Sequence, residues 1–147
     1  MSDIVWSVSP QHDTLESLSL RIRLHTGDIC KAAGIKHDVD IDTGDGRTAV
    51  SEDIRRNIFL VFKEAISNAA QHSGATLVRV TAKMVSGAYE LTVGDNGRGL
   101  PPQPVGPTKR GHGLRNMEHR AKEIGADFSI VSSEGQGTTI RLTKRMT

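Results

Sequence analysis

Residues 93–100 read VGDNGRGL and directly follow a run in which apolar and polar residues alternate. Alternation of this kind predicts a β-strand with one buried face. The pair Asn96-Gly97 is typical of a hairpin turn, yet the chain continues into a proline- and glycine-rich segment, residues 101–107, and not into a second strand. Asp95, Gly97 and Gly99 at the end of this strand therefore do not fit a simple hairpin turn and need another explanation.

The composition indicates one soluble domain with an aliphatic core. The 147 residues are 36% hydrophobic and only 3% aromatic, and their formal net charge is +2. Because the charge is nearly balanced and the lysines and arginines are scattered, we expect no nucleic-acid binding and no membrane contact by this domain. The single cysteine, Cys30, excludes an internal disulfide and a cysteine-rich zinc site. No signal-peptide pattern precedes the domain, so we expect it in the cytoplasm, whether or not its parent protein is membrane-anchored.

Hydrophobic periodicity and turn residues predict three helices and about five strands. The helices are expected at residues 13–34, 54–72 and 114–124. The strands are expected at residues 35–41, 76–85, 88–93, 128–132 and 138–143. Since most strands are joined as hairpins, we predict an α+β fold. It is a two-layer α/β sandwich with a mixed sheet of about five strands and three helices on one face.

The helix predicted at 54–72 has an unusual polar stripe. Its apolar face, which we expect to meet the core, carries Ile58, Phe59, Phe62, Ala65, Ile66 and Ala69. The opposite face carries Asn57, Glu64, Asn68 and Gln71. Asparagine is a poor helix former, so its repetition on one stripe has a conformational cost. Glu64 and Asn68 lie one turn apart and offer a carboxylate and an amide oxygen, ligands suited to Mg²⁺ with substrate phosphates. A plainly solvated face remains an equal alternative for this helix alone.

A second cluster, KRGHGL at residues 109–114, stands at the start of the third predicted helix. A helix N-terminus attracts anions through its free N–H groups and its dipole, and glycines let an anion approach the backbone. Two cations and two glycines therefore predict a phosphate cradle, although a flexible loop before a helix has the same pattern. The sequence contains neither GxxxxGK[ST] nor GxGxxG, which excludes a P-loop and a dinucleotide fingerprint. Residues 101–110 have the length and composition of a lid.

Two histidine pairings are set aside. His112 and His119 lie about 10 Å apart along one helix, too far to share a metal ion. His12-Asp13 resembles a nucleophile with its orienting acid, but a helix-capping role is favoured because Pro10 precedes the pair and no helix is predicted upstream.

Four short motifs follow one another along the chain: EAISNAAQH at 64–72, DNGRG at 95–99, GHGL at 111–114 and GQGT at 135–138. In this order they resemble the N, G1, G2 and G3 boxes of the GHKL ATPase superfamily, which includes gyrase B, Hsp90, MutL and sensor histidine kinases. The pair His72-Ser73 and the pattern GxGLxxMxxRA at 111–121 resemble sensor histidine kinases of the NarX/DesK type. Residues 3–10 are similar to the segment that follows the dimerisation helices of such kinases. We therefore expect a linker remnant at 1–12 and an ATP-binding catalytic domain at 13–147.

The resemblance implies a Bergerat fold in which ATP lies between the helices under a mobile lid. It implies that Asp95 accepts a hydrogen bond from the adenine amino group. Gly97 and Gly99 would let the base lie against the backbone, and Thr138 would support the adenine contact through water.

The resemblance also implies a phosphate end of the site. Glu64 would orient or activate the attacking group, and Asn68 would hold Mg²⁺ and, through it, the phosphates. The residues implied to line or wrap the phosphates are His72, Lys109, Arg110, Gly111, His112, Gly113 and Leu114. Many relatives carry lysine where this chain has Gln71, so Lys109 or Arg110 would supply the missing cation.

The implied function is that of the catalytic domain of a two-component sensor histidine kinase, with ATP and Mg²⁺ as cofactors. Its partners would be the dimerisation and histidine-phosphotransfer domain of the same kinase and, indirectly, a response regulator. The helix bearing the phosphoacceptor histidine is missing, so the domain is expected to bind ATP and to phosphorylate histidine only when that helix is supplied.

Three other functions compete with this one. A stand-alone anti-sigma-type protein serine kinase of the same superfamily is the main alternative, and the linker-like residues 6–10 with His72-Ser73 argue against it. An ATP-driven clamp similar to gyrase B or MutL would need further domains. A non-catalytic interaction domain would be expected to have lost Glu64, Asn68 and Asp95.

Overall fold

The computed structural model describes residues 14–44, 48–71, 74–98, 109–133 and 135–146, and for residues 109–112 and 133 it describes the backbone alone. In this part of the chain lie three helices and five strands. They are α1 (Leu15–Ala33), β1 (Lys36–Asp42), α2 (Glu52–Gln71), β2 (Leu77–Val85), β3 (Ala88–Asp95), α3 (Lys109–Glu123), β4 (Asp127–Ser133) and β5 (Gly137–Arg145). The predicted elements are all present. The predicted linker, His72, Gly99 and residues 101–108 of the predicted lid lie outside the described residues.

The ends of α1 follow ordinary capping chemistry. The Thr14 hydroxyl accepts a hydrogen bond from the Ser17 backbone N–H at 3.3 Å, which satisfies one of the free donors of the first turn. Gly34 ends the helix with φ of 70°, a left-handed conformation that glycine adopts without strain. Both ends agree with the sequence prediction.

The sheet is mixed, with strand order β1-β2-β3-β5-β4. β1 and β2 run parallel, with α2 as the crossover between them, and the other neighbouring strands are antiparallel. β3 extends to Asp95, two residues beyond its predicted end, because its ladder with β5 continues through the pair Asp95 and Thr138. Asp95 therefore belongs to a strand and not to a turn.

One face of the sheet packs against the helices. Alternate residues of the three central strands are buried there: Val78, Val80, Ala82, Tyr89, Leu91, Val93, Ile140 and Leu142. They join apolar residues of all three helices in one core cluster, for example Leu18, Phe62 and Met117. The two-layer sandwich predicted from the sequence is therefore confirmed.

The opposite face of the sheet is polar and open. Two exposed ion pairs connect β1 with β2 there: Arg79 with Asp38 at 3.4 Å, and Lys83 with Asp40 at 3.3 Å. Exposed pairs of this kind contribute about 0–1 kcal/mol each. The stability of the domain therefore depends on the helix-covered face.

One residue of the predicted polar stripe of α2 is placed differently. Asn57 is buried, with 3% of its surface exposed, and its side-chain amide donates to the Asp53 carbonyl oxygen at 2.9 Å. The prediction that Asn57 belongs with Glu64 and Asn68 on an accessible face is therefore wrong. A helical wheel gives the position of a residue around the helix axis, but it does not show how much of a helix face the neighbouring elements cover.

Candidate functional site

The adjacent ends of β3 and β5 form a compact group, which we call the strand-end cluster: Asp95, Gly97, Gly137 and Thr138. Asp95 and Thr138 are direct partners in the ladder, and Thr138 is buried. The Gly97 backbone N–H donates to Oδ1 of Asp95 at 2.8 Å. Since Asp95 follows Val93 by two positions, its side chain lies on the helix-covered face of the sheet. Three residues predicted for the adenine end thus lie together.

Gly137 brings the two strand ends into close approach. Its φ is 99°, and a Cβ atom at this position would collide with the carbonyl oxygen of Asp95. Any other residue would therefore be strained and would displace the backbone of Asp95. The sequence motif at 135–138 included this glycine, but Thr138 alone was predicted as a site residue there.

Ser132 on β4 is a further neighbour that the sequence did not indicate. Its hydroxyl lies 3.1 Å from the Thr138 hydroxyl. β4 pairs Ser132 directly with Thr138. A correct register between the last two strands would have revealed this contact, but no local motif marks it.

Asn96 acts as a bridge between β3 and the start of β2. Its side-chain oxygen accepts hydrogen bonds from the backbone N–H groups of Thr76 at 2.9 Å and Leu77 at 3.0 Å. Its amide donates to the Thr76 hydroxyl at 2.9 Å. The pair Asn96-Gly97 is typical of a hairpin turn, but here Asn96 holds the end of β3, next to Asp95, against the start of β2.

The second group lies where α2 meets α3, and we call it the helix-pair cluster: Glu64, Asn68 and Gly113. A Cβ atom added to Gly113 would lie 2.8 Å from Oε2 of Glu64. This glycine therefore lets the two helices approach with the carboxylate between them. Glu64 and Asn68 are both half-buried and lie one turn apart on α2.

The phosphate cradle predicted at 109–114 lies in the first turns of α3. The helix begins at Lys109, five residues before the start at 114 that the apolar spacing predicted, so Gly111 and Gly113 lie inside it. The backbone of Lys109, Arg110, Gly111 and His112 is placed at the helix N-terminus, as predicted. Leu114 packs against the hydrophobic core.

Among the described residues, two core groups, Cys30 and Tyr89, have shifted pKa values. Burial raises the pKa of the Cys30 thiol, so little reactive thiolate forms at neutral pH. Burial also raises the pKa of the Tyr89 hydroxyl. Within the described ranges, no group of three or more His, Cys, Asp and Glu residues could hold a metal ion by itself.

A depression of about 270 Å³ lies on the open face of the sheet, with Arg79, Thr92, Gly94, Asp95 and Asn96 among its lining residues. It therefore adjoins the strand-end cluster at Asp95, on the face opposite to the one that the Asp95 side chain shares with Val93. None of the helices described here has both the length and the apolarity that a membrane crossing requires.

Residues 53–147 match the family described as histidine kinase-, DNA gyrase B- and HSP90-like ATPase. The sensor histidine kinase LiaS of Bacillus subtilis is 35% identical over 107 residues, which cover 73% of this chain and 29% of LiaS. The sensor protein VraS of Staphylococcus aureus is 38% identical over 93 residues, which cover 63% of this chain and 26% of VraS. The chain thus spans less than a third of the length of these relatives.

Solved structures give the same fold. The histidine kinase domain of the blue-light activated histidine kinase from Erythrobacter litoralis EL346 superposes with a TM-score of 0.72 at 24% identity, covering 88% of this chain and 61% of that one. The catalytic domain of histidine kinase ThkA superposes with a TM-score of 0.70 at 18% identity, covering 91% of this chain and 94% of that one. The chain therefore belongs to the family of histidine kinase-, DNA gyrase B- and HSP90-like ATPases, as its four motifs predicted.

Proposed function

We propose that this domain is the ATP-binding catalytic domain of a two-component sensor histidine kinase. It delivers the γ-phosphate of ATP to a histidine on a separate dimerisation domain, for relay to a response regulator. The observation that carries the proposal is the Glu64 carboxylate, which lies against Gly113 in the first turns of α3. The relatives LiaS and VraS, which are named as sensor proteins, support it.

This placement suits phosphoryl transfer, because the reaction depends mainly on positioning and on charge stabilisation. The N-terminus of α3 offers backbone N–H groups and the positive end of the helix dipole to phosphate oxygens. Glu64 lies beside that N-terminus, where a carboxylate can accept a proton from a group attacking the γ-phosphate. Lys109, Arg110, Gly111, His112, Leu114 and His72 would complete the phosphate end.

The proposed step is an in-line transfer to a neutral imidazole. A ring nitrogen of the acceptor histidine forms a bond to the γ-phosphorus. The bond from that phosphorus to the bridging oxygen breaks, and ADP leaves with its electron pair. The proton on the other ring nitrogen passes to the Glu64 carboxylate, so the phosphorylated imidazole stays neutral.

The strand-end cluster would bind adenine. The Gly97 N–H holds Oδ1 of Asp95 at 2.8 Å, which orients the carboxylate towards a donor on the helix-covered side. Gly97 and Gly99 would let the base lie against the backbone. The buried Thr138 hydroxyl, held by Ser132, would support the contact.

Magnesium fits this site only as a complex with ATP. The described residues offer no complete protein cage, but Glu64 and Asn68 provide a carboxylate and an amide oxygen one turn apart. Mg²⁺ commonly keeps several waters and binds through one or two protein oxygens plus phosphates. Asn68 would be its protein ligand, and the bound ion would neutralise charge on the phosphates.

The wider setting belongs to the same proposal. The domain would be of the NarX/DesK type, with residues 1–12 as the linker from the dimerisation domain and residues 13–147 as the catalytic unit. Residues 101–110 would form the lid over ATP, and the domain would work in the cytoplasm.

A transfer assay tests the proposal. The domain is mixed with radiolabelled ATP and the isolated dimerisation domain of LiaS, and the labelled product is treated with acid. An acid-labile phosphate is expected, because phosphohistidine hydrolyses in acid, whereas an acid-stable phosphate would favour the protein serine kinase. Glu64→Gln should keep ATP affinity and lose about 10²–10⁴-fold in transfer rate.

A further inference from the structure

A row of three polar side chains crosses the sheet at the strand-end cluster. Asp95 on β3 pairs with Thr138 on β5, and Thr138 pairs with Ser132 on β4. Because direct partners in a ladder point to the same side of the sheet, all of these side chains lie on the helix-covered face. The neighbouring row on this face is apolar and consists of Val93, Ile140 and Ile130. The proposed function places Asp95 and Thr138 at the base, and Ser132 is the next residue along the row.

The hydroxyl of Ser132 makes two polar contacts with β5. It donates to the carbonyl oxygen of Gly137 at 3.4 Å and lies 3.1 Å from the hydroxyl of Thr138. A carbonyl oxygen only accepts, and a serine hydroxyl has one proton. Both contacts therefore form together when Ser132 donates to Gly137 and Thr138 donates to Ser132. Thr138 is 8% exposed, so bulk water competes little for its proton.

This arrangement determines what the Thr138 hydroxyl offers to a ligand. Because its proton is directed to Ser132, its oxygen has only lone pairs left for the ligand side. The carboxylate of Asp95 beside it is an acceptor as well. The strand-end cluster thus presents two neighbouring acceptors to the base. Such a site favours an amino group, bound directly or through a water, and leaves a keto oxygen at the same position without a donor.

We propose that Ser132 is a positioning residue that contributes to base specificity. It holds the Thr138 hydroxyl as an acceptor, so that the site rejects a purine with a keto group at C6. The inference rests on the proposed function, because it takes adenine to be bound at the strand-end cluster, and it adds a residue of β4 to the recognition of the base. Without the Ser132 hydroxyl, Thr138 is free to turn its proton towards the ligand and to donate to a keto oxygen.

The preference for ATP over inosine triphosphate tests this role, since hypoxanthine carries a keto oxygen where adenine carries its amino group. In Ser132→Ala the affinity for ATP should fall about threefold and that for inosine triphosphate should rise about threefold, as expected for one neutral hydrogen bond. Calorimetry should therefore show the preference for ATP reduced about tenfold. Because both proteins meet the same two nucleotides, other differences between the bases cancel in this change.

Two further variants separate positioning from a structural role. Ser132→Thr keeps the hydroxyl and should keep the preference of the parent. Ser129→Ala is the matched control, because Ser129 is exposed on the same strand and lies on the open face of the sheet. Its affinities for both nucleotides should equal those of the parent. A purely structural role of Ser132 would lower the free energy of unfolding, or both affinities by the same factor, without changing their ratio.

The possible failures of the inference and of the proposed function are distinguishable. An unchanged preference in Ser132→Ala, or an equal change in Ser129→Ala, would overturn the role of Ser132 and leave the proposed function standing. A parent domain that binds the two nucleotides equally would overturn the adenine contact and the role of Ser132 with it. A parent domain that prefers ATP but labels no histidine in the transfer assay would overturn the proposed transfer alone.

Discussion

The strand-end cluster and the helix-pair cluster differ in how their residues are held. In the strand-end cluster, backbone pairing joins Asp95 to Thr138, Gly97 fixes one carboxylate oxygen, and Ser132 lies at the Thr138 hydroxyl. In the helix-pair cluster, no hydrogen bond or ion pair from another described residue fixes the side chains of Glu64 or Asn68. Gly113 approaches the Glu64 carboxylate closely and so restricts it.

This difference predicts different roles for the strand-end cluster and the helix-pair cluster. A binding group held by the sheet needs no rearrangement when a ligand arrives, so it favours affinity and discrimination. Side chains without such partners can change their contacts as phosphates, metal and acceptor enter. We therefore expect mutations in the strand-end cluster to act on stability and nucleotide affinity, and mutations in the helix-pair cluster to act on metal dependence and transfer.

The largest effect is expected from Gly137→Ala. A non-glycine residue in such a backbone conformation costs about 1–3 kcal/mol, and the collision with the Asp95 carbonyl oxygen adds to this. The free energy of unfolding, measured by urea denaturation, should fall by more than that range, and ATP binding should be lost. The control is Gly135→Ala, because Gly135 has φ of 80° but open space around it. Equal destabilisation by the two variants would mean that the close approach to Asp95 is unimportant.

Asp95→Asn should weaken ATP binding without unfolding the domain. The amide oxygen can still accept the Gly97 N–H, but a charge-assisted hydrogen bond worth about 1.5–3 kcal/mol is lost. Calorimetry should show a dissociation constant raised by one to two orders of magnitude, on the order of that energy. The parent should also bind GTP poorly, since guanine lacks the amino donor at that position. Equal affinity for ATP and GTP would contradict the adenine contact.

Asn68→Ala tests the opposite cluster. The affinity for ATP in the presence of Mg²⁺ should fall about tenfold, the lower end of the range for losing a group that supports a metal. The affinity measured in EDTA should stay at the parent value, as should the free energy of unfolding. If Mg²⁺ still strengthens ATP binding to the same degree, Asn68 is not the metal ligand.

Asn96→Ala should have the smallest effect on the nucleotide. Its side chain makes three hydrogen bonds to Thr76 and Leu77, but they are exposed, so water replaces part of them. We expect a loss of about 1–2 kcal/mol in the free energy of unfolding. The ATP affinity should fall less than in Asp95→Asn. A larger loss of affinity than in that variant would show that the bridge to β2, and not the carboxylate, controls the adenine end.

The fold and the location of both clusters could be predicted from local sequence patterns. Helix caps, alternating strands and glycine-rich turns are short-range signals, and they located most element ends to within two residues, for example Gly34 at the end of α1. The start of α3 was missed by five residues. The resemblance of four motifs to known ATPases predicts that both clusters take part in nucleotide binding. The burial of Asn57 was missed because it depends on neighbouring elements, which a helical wheel does not contain.

The contacts around Thr138 could not be predicted for a related reason. They require the register of β5 against both β3 and β4, and no single segment carries that information. The close approach of Gly113 to Glu64 is likewise a property of two helices that are far apart in the sequence. The sequence motif includes Gly113, but it does not show that Glu64 is its neighbour in the fold.

The ladder between β3 and β5 also limits how this sequence can vary. Because strand residues alternate between two faces, a single-residue insertion within β5 before Thr138 would turn its hydroxyl to the open face of the sheet. By contrast, the ladder sets the spacing of Asp95 and Thr138 whatever the length of the connection that leads into α3. The strand-end cluster is thus sensitive to the register of two strands and tolerant of changes in the chain between them.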